Sequence, residues 1–129
     1  MRVLMFQSQF VEAIEHGTKT TTLLPRRSRP IRVGDTLSLR TWSRKASRCR
    51  HIILGAATCT AVDRVDLIFD SKSGTPVICF AGHRRSKEIA DFIAQKDGFE
   101  SFDALVRFYR HVHGYFPFEG NLITWQRIK

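Results

Sequence analysis

The stretch from His51 to Asp70, HIILGAATCTAVDRVDLIFD, constrains the fold of this chain more than any other part of the sequence. Its Ile, Val and Thr residues favour extended structure, but it is long for one flat strand. The single glycine near its start, Gly55, predicts a bulge or a bend. We therefore expect one curved strand that belongs to a small barrel or to a strongly twisted sheet.

Shorter segments with strand character surround this stretch, at residues 2–6, 18–23, 33–42, 76–81 and 120–128. Three other segments repeat apolar residues at helical spacing, and each has a serine near its start: Ser8, Ser86 and Ser101. Gly17 stands where a glycine commonly ends a helix. The sequence predicts a single α+β domain over residues 1–129, with five to six strands, one N-terminal helix and a C-terminal helical pair. Closure of the strands into a small barrel is allowed by this pattern but not established by it.

Several classes of protein are disfavoured by what the sequence lacks. No apolar run approaches the roughly 20 residues that span a bilayer, and the N-terminus is unlike a secretory signal. Three cysteines without a CxxC motif indicate neither a disulfide framework nor a zinc ribbon. The pairs His111 with His113 and Cys49 with His51 are poor metal ligands without further partners. We expect a cytoplasmic protein that uses no metal or other cofactor, no membrane and no obligate protein partner.

Positive charge is concentrated in one segment of the chain. The formal net charge is +9, and residues 26–50 contain nine basic residues against one acid. Eight of the nine are arginines, which suit planar, bidentate contacts with phosphate. The predicted phosphate-binding residues are Arg26, Arg27, Arg29, Arg32, Arg44, Lys45, Arg48 and Arg50, with Trp42 as a base-stacking residue. We call residues 26–50 the basic segment.

The stretch HGTKTTTLLPRR at residues 16–27 places one lysine among four threonines. Such a threonine-rich stretch is typical of a β-strand with an exposed lysine. A lysine desolvated in a cleft has a lowered pKa, however, and its neutral amine can take a proton from a neighbouring hydroxyl. Lys19 with one of these threonines is therefore also a minimal pair of base and nucleophile.

Four short motifs, in order along the chain, resemble those of ASCH domains, small relatives of the PUA β-barrel. They are F-x-x-x-I-x-x-G-x-K-x-x-T from Phe10 to Thr22, G-D-x-L at 34–37, D-G-F at 97–99 and F-x-G-x-L-I-x-W at 118–125. The resemblance covers nearly the whole chain. It implies a PUA-like barrel with helices packed at its side, and a cleft where the first motif meets the D-G-F turn.

The resemblance also implies a chemistry. ASCH domains are associated with RNA, and one branch hydrolyses the acetyl amide of N4-acetylcytidine with a lysine, a threonine and an acid. Carried over to this chain, Lys19 is the base, Thr22 the nucleophile and Asp97 the acid that orients the site. Two departures are visible: Asp97 stands where that branch has glutamate, and Leu24 stands where the family often has arginine, a place that Arg26 or Arg27 would have to fill.

Strand geometry leaves the choice of threonine open, because residues three apart in a regular strand face opposite sides. Lys19 would share its face with Thr21, and a turn or bulge is needed before it can meet Thr22. The resemblance favours Thr22. Two functions follow as expectations: an amidohydrolase of modified nucleosides, or an RNA-binding module or ribonuclease that uses the same cleft with the basic segment.

Overall fold

The computed structural model describes residues 1–26, 28–42, 51–112 and 117–128. Within these ranges the chain forms seven strands and three α-helices, a mixed α+β architecture. In chain order they are β1 (Arg2–Phe6), α1 (Val11–Glu15), β2 (Thr21–Pro25), β3 (Thr36–Trp42), β4 (His51–Phe69), β5 (Pro76–Phe80), β6 (His83–Arg84), α2 (Lys87–Lys96), α3 (Phe102–Val112) and β7 (Phe118–Arg127). A 3-10 turn at Ser8–Phe10 leads directly into α1.

The 19-residue strand β4 is the centre of the sheet, and it is antiparallel to β3, β7 and β5 along different parts of its length. The bend predicted near Gly55 is confirmed. Leu39 pairs with Gly55 but Arg40 pairs with Ile53, so Leu54 is an extra residue that bulges out of the ladder. A bulge increases the local twist and bend of a strand. Strand β4 is bent in this way and pairs with three strands along its length.

Gly55 lies against the end of the Arg127 side chain. A Cβ atom at this position would lie 2.8 Å from a guanidinium nitrogen of Arg127. That guanidinium donates hydrogen bonds to the carbonyl oxygens of Glu15, at 2.9 Å, and Leu54, at 3.2 Å. The end of β7 is thereby tied both to the end of α1 and to the bulge of β4.

The sheet is not closed within the described residues, so a small barrel is not confirmed. Strand β1 pairs in parallel with β3, and β2 pairs with β7, but no ladder joins β1 to β2 in the described ranges. The strand count exceeds the predicted five to six because of β6. This two-residue strand follows a two-residue turn in which Ala81 and Gly82 both have positive φ, +52° and +83°, as the mirror-image hairpin turns require. Alanine is a poor signal for such a turn.

The three helices lie where the sequence predicts them. Ser86 accepts a hydrogen bond from the N–H of Ile89, and Ser101 accepts one from the N–H of Ala104, which confirms both predicted caps. Ser8 does not cap α1, because it lies inside the 3-10 turn, whose N-cap position is held by Gln7. None of the helices in the described residues is long and apolar enough to span a bilayer.

Two apolar clusters lie on the two faces of the ladder between β2 and β7. One cluster contains Leu23 and Leu122 and packs under α2 and α3; the other contains Ile123 and packs against β1, β3 and the first helical segment. Phe99 and Phe108 contact both clusters. Phe99 and Phe108 lie beside the open side of the sheet, between β1 and β2, where they line a cavity.

Candidate active site

Lys19 is positioned by the end of α1. The N–H of Gly17 donates to the carbonyl of Ile14, at 3.1 Å, and the N–H of Thr18 donates to that of Ala13, at 2.9 Å. This pair of bonds ends a helix on a glycine of positive φ, and Gly17 has φ +79°. The chain reverses there, so Lys19 lies before β2 begins at Thr21.

The ammonium group of Lys19 is buried and has three acceptors. Nζ donates to the carbonyl oxygen of Thr21 at 2.8 Å, to Oδ1 of Asp97 at 3.0 Å, and to the main-chain carbonyl of Asp97. The lysine is only 2% exposed. Its nitrogen also lies 4.7 Å from the centre of the Phe10 ring, a distance at which an aromatic face attracts a cation. All three donors of the ammonium are thus satisfied inside the protein.

Asp97 reaches the lysine from the end of α2. It occupies the C-cap position of that helix and is 1% exposed. The next residue, Gly98, has φ +95°, and a Cβ there would lie 3.2 Å from both Cδ of Lys19 and a ring carbon of Phe10. The D-G-F turn therefore needs glycine both for its backbone conformation and for the space that the lysine stem occupies.

Burial shifts both ionisable groups toward their neutral forms. Desolvation raises the pKa of Asp97 to about 6, although Lys19 and a hydrogen bond from Thr21 act in the opposite direction. Desolvation also lowers the pKa of Lys19, against the opposing effect of the Asp97 charge. The pair is a strongly perturbed site of the kind that clusters at functional positions.

A cavity of about 120 Å³ opens above this pair, in the gap between β1 and β2. That volume holds about four water molecules at the space each occupies in the liquid. Five aromatic side chains among the described residues line it: Phe6, Phe10, Phe99, Phe108 and Tyr109. Thr22 lies on its wall, and Lys19 and Asp97 lie at its base.

The edge of β2 that faces the cavity presents main-chain groups to it. The N–H of Trp125 donates to the carbonyl of Thr20, so the main-chain groups of Thr20 point toward β7. Main-chain groups of successive residues in a strand point alternately toward and away from the partner strand. The N–H and C=O of Thr21 and Leu23 therefore point away from β7. Two side chains confirm this direction: Lys19 Nζ bonds the carbonyl of Thr21, and the Tyr109 hydroxyl donates to that of Leu23 at 3.0 Å. The N–H of Leu23 therefore lies on the free edge, where Leu23 itself lines the cavity.

The two threonines of the first motif take different positions. Thr21 donates its hydroxyl to Oδ1 of Asp97 at 3.3 Å, while Thr22 faces the cavity. Lys19 precedes β2, which begins at Thr21. The alternation of side chains along a strand, which would place Lys19 on the same side as Thr21 and not Thr22, therefore does not apply to it. The structure thus brings Lys19 and Asp97 together and adds Thr22 to the same cavity; their catalytic roles stay predictions.

The predicted phosphate-binding residues that the structure describes are on the surface. Arg26, Arg29 and Arg32 are exposed, and the indole of Trp42 is 50% exposed. Arg27, Arg44, Lys45, Arg48 and Arg50 lie outside the described residues. No arginine lines the cavity among the described residues, and Leu24 is part of its wall.

Trp42 has two polar neighbours that sequence reasoning did not assign to the phosphate-binding set. The ring of His51 packs edge-on against the indole, with ring centres 4.7 Å apart, and Nδ1 of His51 lies 3.4 Å from a guanidinium nitrogen of Arg40. Trp42 and His51 are directly paired across β3 and β4. A strand pairing, rather than any sequence motif, is what brings these three residues together.

The aromatic walls of the cavity were also missed as functional residues. The sequence pattern places Phe10 and Tyr109 in apolar helix stripes, and both are buried. The same two rings also line the cavity. Phe10, Phe99 and Phe108 form a mutual cluster with ring centres 5.2 to 5.4 Å apart. Their spread over the sequence gives no local signal for the cluster, although Phe10 begins the first motif and Phe99 belongs to the D-G-F motif.

Comparison with protein-family models, with curated proteins and with solved structures returned no match to this chain. Among the described residues, no three His, Cys, Asp or Glu side chains are grouped so that they could hold a metal ion. The side chains that line the cavity include the amine of Lys19, the carboxyl group of Asp97 and the hydroxyl of Thr22, with aromatic rings around them.

Proposed function

We propose that this protein is an amidohydrolase that removes the acyl group from N4-acylated cytidine-type nucleosides. The observation that carries this proposal is the buried Lys19–Asp97 pair, 3.0 Å apart, at the base of an aromatic cavity that has Thr22 on its wall. In the same proposal the chain is a PUA-like barrel of the ASCH type that acts in the cytoplasm without metal, cofactor or obligate protein partner.

A buried ion pair contributes little net stability to a fold. Taking two charges out of water costs several kcal/mol per ion, and well-packed apolar residues of the same volume often serve stability equally well. A site for proton transfer, in contrast, benefits from groups whose pKa values lie closer together than they do in water. Lys19 and Asp97 are shifted in this way.

The reaction starts when Lys19 is neutral, which happens when the shared proton resides on Asp97. The amine then takes the proton of the Thr22 hydroxyl as Oγ1 attacks the acyl carbonyl. In this mechanism main-chain donors on the free edge of β2, such as the N–H of Leu23, stabilise the resulting oxyanion. Collapse breaks the C–N bond, and Lys19 returns the proton to the leaving amine.

An acyl-threonine then remains, and water must remove it. Lys19 takes a proton from this water, the hydroxide adds to the ester carbonyl, and the Thr22 alkoxide leaves and is reprotonated by Lys19. The products are the free amine and a carboxylic acid. Atoms and charges balance with water as the second substrate.

The cavity favours a small planar acylamine. Its volume of about 120 Å³ is below the range of roughly 300–1,000 Å³ of sites that enclose a drug-sized ligand. It therefore takes the acylated amine and the adjoining ring edge, while the sugar stays at the mouth. Aromatic rings suit the faces of a pyrimidine.

The test is to follow the release of cytidine from N4-acetylcytidine by the purified protein and by a Lys19→Ala variant. We expect steady release by the wild-type protein and at least a hundredfold slower release by the variant, because general base catalysis contributes about 10²–10⁴-fold. Equal release by both proteins, or none by the wild type, would contradict the proposal.

A second candidate function is an RNA-binding module, or a ribonuclease, that uses the cavity with the basic segment. The half-exposed indole of Trp42 beside His51 and Arg40 favours it, because an exposed ring with a cation such as an arginine nearby suits single-stranded nucleic acid. For this function, removing Arg26 and Arg29 together should reduce the salt slope of RNA binding by about one unit per lost phosphate contact. Trp42→Ala should weaken RNA binding at every salt concentration. An unchanged affinity would contradict a role for Trp42 in stacking on the bases.

A further inference from the structure

A second and larger cavity lies on the opposite face of β2 from Thr22. It has a volume of about 450 Å³ and is bounded by α2 on one side and by the ladder of β2 and β7 on the other. Its lining residues are Thr21, Asp63, Phe80, Arg85, Ile89, Phe92, Ile93, Lys96, Leu122 and Thr124. Thr21 thus separates the two cavities, since its hydroxyl bonds Asp97 while its side chain forms part of this second wall.

The size and composition of this second cavity are those of a ligand site. Its volume falls within the usual range of roughly 300–1,000 Å³, and it combines an apolar lining with a few polar groups. Two aromatic rings lie on it, Phe80 and Phe92, and the Phe92 side chain is 59% exposed. A large exposed ring next to a concave apolar surface is unusual for a residue that only supports a core.

Each of the two rings is accompanied by a cation. The guanidinium carbon of Arg85 lies 5.8 Å from the centre of the Phe80 ring, and Nζ of Lys96 lies 5.5 Å from that of Phe92. Among the described residues neither cation forms an ion pair. Asp63, the acid of this cavity, likewise has no ion pair within those residues. The lining therefore carries two cationic groups and one acid without a charged protein partner.

We infer that this second cavity binds a small aromatic acid: a planar ring that carries one anionic group and one hydrogen-bond donor. The ring lies between the Phe80 and Phe92 side chains, the anionic group meets Arg85 and Lys96, and the donor meets the carboxylate of Asp63. A second copy of this chain is a poor occupant, because two molecules of net charge +9 repel each other. The inference goes beyond the proposed hydrolysis and does not depend on it.

The probe for this site is anilinonaphthalene sulfonate, whose fluorescence rises when its aromatic rings enter an apolar environment. We expect saturable binding to the natively folded protein, verified by an unchanged near-UV circular dichroism spectrum, because loosely packed states also bind this dye. The uncharged parent compound, anilinonaphthalene, should bind at least tenfold more weakly, since it lacks the anionic group. Equal binding of the two compounds would overturn the inference.

Two variants and two controls locate the site. Phe92→Ala and the double variant Arg85→Gln with Lys96→Gln should each weaken binding of the sulfonate about tenfold or more. The matched control is Lys87→Gln, which removes a lysine from the same helix at a position outside this cavity. Thr22→Val, in the first cavity, should leave binding unchanged. The inference would be overturned if the double variant bound the sulfonate with wild-type affinity. It would also be overturned if the double variant and Lys87→Gln lost affinity equally.

Discussion

Oδ1 of Asp97 lies 3.0 Å from Nζ of Lys19, although the two residues are 78 positions apart in the sequence. The lysine follows the glycine that ends α1, and the aspartate ends α2. Both side chains are almost fully buried, at 2% and 1% exposed. The pair therefore depends on two helix ends meeting at the open side of the sheet.

Removing one member of this pair should be costly. Lys19→Met keeps the length of the stem but leaves the Asp97 carboxylate without its cation. We expect the free energy of unfolding to fall by about 3–5 kcal/mol, as is usual when one partner of a buried pair is removed. The double variant Lys19→Met with Asp97→Asn should recover part of this loss in urea denaturation. A double variant less stable than Lys19→Met would contradict a charge-based origin.

The carboxyl group of Asp97 should titrate at a higher pH than an ordinary aspartate. Its pKa in the folded protein is about 6, above the ordinary 3.8, mainly because of desolvation. Its contribution to the free energy of unfolding is therefore complete below about pH 4 and is lost as pH rises through about 6. Carbon-13 NMR of the aspartate carboxyl groups measures this directly. A midpoint close to 4 would show that the group is solvated or held ionised.

The two neighbouring threonines should affect that titration differently. The hydroxyl of Thr21 donates to the carboxylate of Asp97 and so lowers its pKa. Thr21→Val, which keeps the shape of the side chain, should therefore raise the pKa of Asp97 further. Thr22→Val is the matched control, and it should leave the Asp97 titration where it is. A shift in the control but not in Thr21→Val would reverse the assignment of the two hydroxyls.

Gly98 tests the packing of the D-G-F turn. Gly98→Ala forces a Cβ to within 3.2 Å of Lys19 and Phe10, at a φ of +95°. Gly74→Ala is the control, because Gly74 also has positive φ, +71°, but open space around it. The control should cost about 1–2 kcal/mol for the backbone alone, and Gly98→Ala should cost at least 1 kcal/mol more. Equal losses in thermal unfolding would mean that the turn moves away without strain.

Local signals in the sequence predicted the elements of this fold well. Ser86 and Ser101 cap their helices, Gly17 ends α1, and the bulge lies beside Gly55, because each feature is decided by a few neighbouring residues. The turn at Ala81 and Gly82 was missed, since alanine rarely adopts positive φ. Closure of the sheet is a property of strands far apart in sequence, and the pattern of strands does not determine it.

The site was predictable in part. Lys19 and Asp97 were selected by motifs, and they do meet. The separate positions of Thr21 and Thr22 depend on where β2 begins, and sequence methods locate strand ends poorly. His51 beside Trp42 depends on the register of β3 and β4, and no local motif encodes this register.

The most direct test of the central claim is a comparison of cytidine release from N4-acetylcytidine by wild-type protein, Thr22→Val and Thr21→Val. The proposed nucleophile is Thr22, so its variant should lose at least a hundredfold in kcat while its fold and stability stay close to those of the wild type. Thr21→Val should retain activity with a shifted pH profile, because that hydroxyl acts on Asp97. Undiminished release by Thr22→Val would contradict the account, and the site would then have to be assigned to another nucleophile.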